Sequence, residues 1–114
     1  MASKDQQGGG PEPARPPQRY REFIDRFPEL SRAWEAISAA GKKGPLGARE
    51  QRLVKLAVAM GAMREGAVRS GTRKALAMGI PFEEIEQLVP LAAGTLGMPS
   101  AVACWSWMME AAKK

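Results

Sequence analysis

Apolar side chains recur three and four positions apart along nearly the whole chain after residue 18, the spacing that places residues on one face of an α-helix. The clearest stripe lies in residues 48–63, where it predicts a core-facing side. Its members are Leu53, Leu56, Ala57 and Met60. No segment alternates between polar and apolar residues for long enough to predict a β-strand. The sequence therefore predicts an all-α fold, a compact bundle of five to six helices.

Proline and glycine mark where these helices are expected to begin and end. Pro28 suits the first turn of the second helix, because the N–H that proline lacks has no partner there. Gly41 and Gly79 are expected to end helices, and Pro90 is expected to kink or shorten the fifth. The side chains expected to face inward include Leu30, Ala33, Trp34 and Ile37 in the second helix, Val68, Thr72, Ala75 and Leu76 in the fourth, and Val102, Trp105 and Met109 in the last.

The first 18 residues differ in composition from the rest of the chain. They contain GGGPEPARPP, which has almost no apolar surface to offset the entropy of ordering the backbone. We expect residues 1–18 to form a disordered tail and residues 19–114 to form one helical domain. The tail lacks the apolar run of a secretory signal, and no segment has about 20 consecutive apolar residues to span a bilayer. We therefore expect a cytoplasmic protein without a membrane partner.

The chain contains no histidine and one cysteine, Cys104. A single chain of this sequence cannot build a Ser–His–Asp triad, a Cys–His pair or a zinc site that includes histidine. Its methionines are scattered over several predicted helices, as expected for residues that fill gaps in a core. We expect no metal and no cofactor, and we expect Cys104 to be buried and unreactive.

The formal net charge of +5 is unevenly distributed. Residues 44–79 contain seven basic and two acidic residues, whereas residues 80–114 lean acidic. This asymmetry indicates either an anion or nucleic-acid site or solvated helix faces, with basic and acidic halves that meet between subunits. We do not expect nucleic-acid binding, because the basic residues are not interleaved with exposed aromatic residues and no recognition motif is present.

Four segments occur in an order that resembles one known family. They are FPELSRAW, LGAREQRLVKLAVAMG, RKALAMGIPFEEIEQL and GTLGMPSAV. In order and spacing, the region from about residue 23 to residue 110 is similar to the carboxymuconolactone decarboxylase family, which includes the alkylhydroperoxidase AhpD. The resemblance implies an all-helical fold that assembles as homo-trimers or homo-hexamers, with an active site near subunit contacts.

The resemblance also implies which positions would carry the family's chemistry. Its redox members use a glutamate, a C-x-x-C pair and a histidine. Counted back from Gly79, the histidine falls at Gly71, the two cysteines fall at Ala67 and Arg64, and the glutamate falls at Arg52. Since none of the four matches, the thiol redox mechanism of the family is not expected here.

The basic residues at and near these positions are candidates for a different site. Arginine forks match the planar oxygens of carboxylates and phosphates, and a glycine leaves room for a ligand or for close approach of another helix. The ligand-binding candidates are Arg52, Arg64, Arg69, Gly71 and Arg73. The alternative is that the arginines pair with Glu50, with Glu65 or with Glu83 to Glu86 of a neighbouring subunit.

Two classes of function follow. The first hypothesis is an oligomeric protein that binds a small anion or serves an assembly role. The alternative is a divergent decarboxylase or isomerase that acts on an anionic lactone, with Glu50 or Glu65 as a weak candidate for the catalytic base. A peroxidase that uses Cys104 ranks below both, because no second thiol is present to resolve a sulfenic acid.

Overall fold

The computed structural model describes residues 18–113, and these residues form seven helices and no β-strand. The helices are α1 (Gln18–Arg26), α2 (Pro28–Lys42), α3 (Ala48–Gly61), α4 (Glu65–Ala77), α5 (Phe82–Glu86), α6 (Leu88–Leu96) and α7 (Met98–Ala112). The predicted all-α class is confirmed. None of the described helices is both long and apolar enough to cross a membrane.

The described residues belong to two compact units, divided between Leu46 and Gly47. The predicted tail, residues 1–18, lies outside the described part of the chain except for Gln18, the first residue of α1. One helical domain over residues 19–114 stays a prediction.

The first unit contains α1 and α2, which are separated at Phe27. Phe27 has a non-helical backbone (φ −129°, ψ 70°), because the ring of a following proline disfavours the helical conformation in the residue before it. Pro28 then occupies the first turn of α2, as predicted. The ring of Phe27 lies 5.3 Å from that of Phe23, and the Arg26 guanidinium lies 5.2 Å from the Phe27 ring centroid. These contacts hold Phe27 against α1, immediately before α2 begins.

No described residue of α1 or α2 is buried. The face predicted to point inward is exposed, and Ile37 keeps 61% of its surface in contact with solvent. The exposed large apolar residues of this unit are Tyr20, Phe23, Phe27, Leu30, Trp34, Ile37 and Leu46. Burial of an apolar side chain requires a neighbour to cover it, so the predicted inward face of α2 is wrong for the single chain.

The second unit contains the hydrophobic core. Helix α4 packs against α3 and against α7, and α6 also packs against α7. The buried core side chains are Leu56, Met60, Val68, Ala75, Ile80, Ile85, Cys104 and Met108. Thr72 is the buried polar residue within this core, and its hydroxyl donates to the Val68 carbonyl at 2.8 Å. The inward faces predicted for α3 and α4 are therefore confirmed.

The turns at the ends of α3 and α4 have the same hydrogen-bond pattern. After α4, the Gly79 N–H donates to Leu76 O at 2.9 Å and the Ile80 N–H donates to Ala75 O at 3.1 Å. This is a Schellman motif, which places the residue after the C-cap in the left-handed region. Gly79 occupies that position with φ +89°, as predicted. After α3 the same position is held by Met63 with φ +54°.

Pro90 shortens the fifth predicted helix by breaking it into α5 and α6. A proline lacks the N–H that would bond to the carbonyl four residues earlier, which here belongs to Glu86. Helix α5 ends at Glu86, and α6 begins at Leu88. The break explains why seven helices are present where five to six were predicted.

The inward face predicted for the last helix is wrong. Val102 and Trp105 are exposed, and Met109 is half-buried. The buried residues of α7 are Ala101, Cys104, Met108 and Ala111. Helix α7 has apolar residues on all sides, so its periodicity does not distinguish the two faces. The residues of the buried stripe follow one another at spacings of three and four.

Replacing Gly79 with alanine is expected to destabilise the protein by about 1–2 kcal/mol, because a side chain in the left-handed region is strained. No atom lies within 4 Å of the added Cβ, so backbone conformation alone determines the cost. Gly61→Ala is the matched control: its Cβ would also meet open space, but in helical backbone. Urea denaturation should show a lower midpoint for Gly79→Ala and an equal or higher midpoint for Gly61→Ala. Equal losses in both variants would contradict this account of the turn.

Candidate anion-binding site between helices α3 and α4

Gly71 is a buried residue of α4 that lies directly against α3. A Cβ at this position would be 3.0 Å from Leu56 Cδ1 and 3.8 Å from Leu56 Cβ. Few real Cβ contacts are as short as 3.0 Å, so a larger side chain would require Leu56 to move. The glycine therefore allows close approach of another helix, and that helix belongs to the same chain.

Arg52 lies on α3 beside Gly71. Its Nη1 atom is 3.7 Å from the position that a Cβ of residue 71 would occupy. The side chain is half-buried, and burial lowers the pKa of the guanidinium. Within residues 18–113, no carboxylate forms an ion pair with Arg52. The arginine remains charged, because arginine is not deprotonated in proteins. The positive charge is therefore partly desolvated without an anionic neighbour in the described chain.

Lys74 adds a second positive charge to this region. Burial lowers the pKa of its ammonium, and the positive charges of Arg52 and Lys55 lower it further. Lys74 is three residues after Gly71, a spacing that places two residues on neighbouring parts of one helix face. Lys74 was not among the residues predicted from the sequence to bind a ligand. Its spacing of three residues from Gly71 could have indicated that it lies on the same helix face.

Arg64 stands at the N-terminus of α4, where it is the N-cap residue in an extended conformation (φ −95°, ψ 93°). Its N–H donates to Ala59 O at 3.0 Å, and its side chain is exposed. Arg64, Ala67, Gly71 and Lys74 are separated by three or four residues, so they follow one stripe along α4. We call the region formed by this stripe and Arg52 the α3–α4 groove.

Arg69 does not belong to this groove. Its Nη2 atom is 2.6 Å from Glu110 Oε1 on α7 and 3.0 Å from Glu65 Oε2. Hydrogen bonds to Glu110 and then to Glu65 raise the pKa of the guanidinium. Arg73 follows Arg69 by four residues and is half-buried. At about 100° per residue, both lie well away from the stripe that contains Gly71. The structure thus brings Arg52 next to Gly71 and directs Arg69 towards α7.

The two weak candidates for a catalytic base are both exposed. The Glu50 carboxylate lies over the start of α3, with Oε1 3.1 Å from the position of a Cβ at Gly47. The Glu65 carboxylate accepts hydrogen bonds from Arg69. A carboxylate that acts as a general base at neutral pH needs partial burial. Neither geometry favours that role.

Cys104 is buried in the core, as predicted. Burial raises the pKa of its thiol. The Sγ atom is 3.8 Å from Met60 O, to which the thiol donates, and 3.9 Å from Met63 Sδ. Since the thiolate is the reactive form, these surroundings favour an inert packing residue.

A metal would require a cluster of suitable ligands. Within the described part of the chain, no group of three or more cysteine, aspartate or glutamate residues is positioned to hold a metal ion. The chemistry available in the α3–α4 groove is therefore that of its cations, which can bind and orient an anion.

One family of known proteins matches this chain, and the match covers most of the helices described above. The sequence model of the carboxymuconolactone decarboxylase family matches residues 28–110, which is most of the chain. No curated protein and no solved structure matches this chain. The matched region includes the α3–α4 groove and the whole of the core. The chain therefore belongs to the carboxymuconolactone decarboxylase family.

Proposed function

We propose that this protein is a carboxymuconolactone decarboxylase-like binding protein without thiol redox chemistry, and that it holds a small carboxylate or phosphate in the α3–α4 groove. The observation that carries the proposal is the half-buried guanidinium of Arg52, which lies over Gly71 and has no carboxylate partner within residues 18–113. Partial burial of an uncompensated charge costs free energy. A bound anion would recover that cost.

The charges around Arg52 also support an anionic ligand. Lys74 is close enough to Arg52 for their positive charges to repel, and this repulsion lowers the pKa of Lys74. An anion between the two cations would replace repulsion by attraction.

Self-association is the second part of the proposal. Seven large apolar residues of α1, α2 and the following loop are exposed in the single chain, which is more than scattered surface residues usually provide. The family resemblance implies homo-trimers or homo-hexamers. We therefore propose that the first unit contributes to contacts between copies of the chain. A cytoplasmic location, and the absence of nucleic-acid binding, remain predictions.

The alternative is a divergent decarboxylase or isomerase that acts on an anionic lactone. Family membership favours it, and the α3–α4 groove would orient the carboxylate of such a substrate. It ranks second because Glu50 and Glu65 are exposed and Glu65 is paired with Arg69. Lactone-acid turnover that disappears in Glu50→Gln or Glu65→Gln would reverse this order.

Inorganic phosphate and succinate are suitable probes of the α3–α4 groove. Arg52→Gln and Lys74→Gln should each weaken binding by about tenfold in titration calorimetry, since each removes one charge-assisted hydrogen bond. Both variants should be at least as stable as the parent protein without ligand, because each relieves repulsion between the cations. Arg73→Gln, the neighbouring residue on another face of α4, is the control and should bind within about twofold of the parent. Equal losses in all three variants, or no binding by the parent protein, would rule out this site.

The same binding should weaken as pH rises into the alkaline range. The pKa of Lys74 is lowered in the folded protein, so its charge is lost at a lower pH than that of an ordinary lysine. Arg52 keeps its charge throughout this range. Calorimetric affinities measured against pH should therefore fall in the parent protein and remain nearly constant in Lys74→Gln. A pH profile that is unchanged by this substitution would exclude Lys74 from the site.

Light scattering tests self-association separately from ligand binding. The expected mass is three or six times that of the chain, and Trp34→Glu with Ile37→Glu should lower it, because charges in an apolar contact are costly to desolvate. Arg19→Glu, on the most exposed part of α1, serves as the surface control. A parent protein that remains a monomer at all concentrations would contradict the assembly proposal and leave the anion site untouched.

Peroxidase activity is not expected. Reduction of an alkyl hydroperoxide by a thiol route needs a thiolate and a second thiol to resolve the sulfenic acid. Cys104 is buried, its pKa is raised, and it is the chain's single cysteine. Assays with an alkyl hydroperoxide and a dithiol should show no turnover that depends on Cys104. Activity that is abolished by Cys104→Ser would overturn this conclusion.

A further inference from the structure

A cavity of about 550 Å³ opens between α5, α6 and α7, away from the α3–α4 groove. Its walls are mostly apolar and include Val89 and Pro90 from α6 and Met98 and Val102 from α7. Volumes of roughly 300–1,000 Å³ with apolar walls are typical of small-molecule sites. We call this cavity the α5–α7 pocket. Its size and lining are suitable for an organic molecule with an apolar body.

The charged residues that line the α5–α7 pocket are both acidic. They are Glu83 and Glu86, three residues apart on α5. Glu84, between them, pairs with Arg49 and does not line the pocket. No arginine or lysine lines it. The pocket therefore combines an apolar interior with negative charge that no lining residue neutralises.

Trp105 lines the pocket with an apolar ring and also contacts one of its two carboxylates. Its indole Nε1–H donates to Glu86 Oε2 at 2.7 Å, although the side chain is 40% exposed. The hydrogen bond fixes the orientation of both the ring and the carboxylate. It also leaves Glu86 Oε1 free of this donor. An aromatic face beside a carboxylate is an arrangement that attracts ammonium groups, through cation–π attraction and direct charge pairing.

We propose that the α5–α7 pocket binds an organic cation with an apolar body, such as a protonated alkylamine or a quaternary ammonium compound. The apolar part enters between Val89, Pro90 and Val102, and the cationic head lies against Trp105, Glu83 and Glu86. An anion of the same shape is disfavoured, because it would meet two carboxylates without a compensating cation. This site is separate from the α3–α4 groove and does not depend on the function proposed for it.

Octylammonium and octanoate are matched probes, since they share an apolar tail and differ in the sign of the head group. Titration calorimetry should show octylammonium binding at least tenfold more tightly than octanoate. The double variant Glu83→Gln with Glu86→Gln should remove most of this preference while octanoate affinity stays the same or improves. Glu84→Gln, which changes the same charge on the same helix outside the pocket, is the control and should bind octylammonium within about twofold of the parent.

Two further variants locate the binding. Octylammonium should change tryptophan fluorescence in the parent protein, and this change should be largely lost in Trp105→Phe, which retains Trp34 and Trp107. Val102→Arg should abolish binding, because the long cationic side chain occupies the pocket. Equal affinity for the two probes, or full binding by the double variant, would overturn the proposal. So would loss of self-association in Val102→Arg in a protein that binds neither probe, since the pocket would then be a contact between copies of the chain.

Discussion

The close contact between α3 and α4 at Gly71 determines both the core and the charged groove. With no side chain at residue 71, Leu56 packs directly against α4, and the core residues of the two helices lie within one hydrophobic cluster. The same contact places the Arg52 guanidinium beside the α4 backbone. Glycine in place of alanine normally destabilises a helix interior by about 1 kcal/mol. Dense packing against Leu56 offsets that destabilisation. The groove and the core therefore depend on one residue.

The charged residues of α4 face different neighbouring helices. One side carries Lys74 towards α3 and Arg52, while Arg69 on another side is neutralised by Glu65 and by Glu110 of α7. The acidic residues of α5 are likewise divided: Glu84 pairs with Arg49, whereas Glu83 and Glu86 line the α5–α7 pocket. Two sets of side chains without an ion pair in residues 18–113 lie in different places: the cations Arg52 and Lys74, and the carboxylates Glu83 and Glu86. The positive set is half-buried and the negative set lines a cavity, so part of the charge asymmetry seen in the sequence has a structural basis.

The sequence predicted the helices whose polar and apolar residues are segregated. Helices α3 and α4 each have one apolar stripe, so their buried faces and the turn at Gly79 could be inferred from spacing alone. Helix α7 could not be oriented in this way, because Val102 and Trp105 are as apolar as the residues that are buried. Only part of the candidate site could be predicted, for a different reason. The resemblance in spacing to the family predicted that Arg52 and Gly71 belong to one site. The partners of Arg69 and Lys74 depend on which neighbouring helix each side of α4 faces. The periodicity of a single helix does not contain that information.

The resemblance to the family's redox members would place a histidine at Gly71, and the packing around Gly71 determines what such a side chain would meet. Restoring a thiol at Arg64 or Ala67 would alter exposed positions at the start of α4, which the core does not require. A histidine at Gly71 would place its Cβ 3.0 Å from Leu56 Cδ1, so the end of the Leu56 side chain would have to shift by a few tenths of an ångström. Leu56 belongs to the buried cluster that α3, α4 and α7 share, so the free-energy cost depends on how far its side chain can adjust without losing apolar contacts. The contact at Gly71 therefore gives close packing of α3 against α4 at a position where any side chain would require Leu56 to shift.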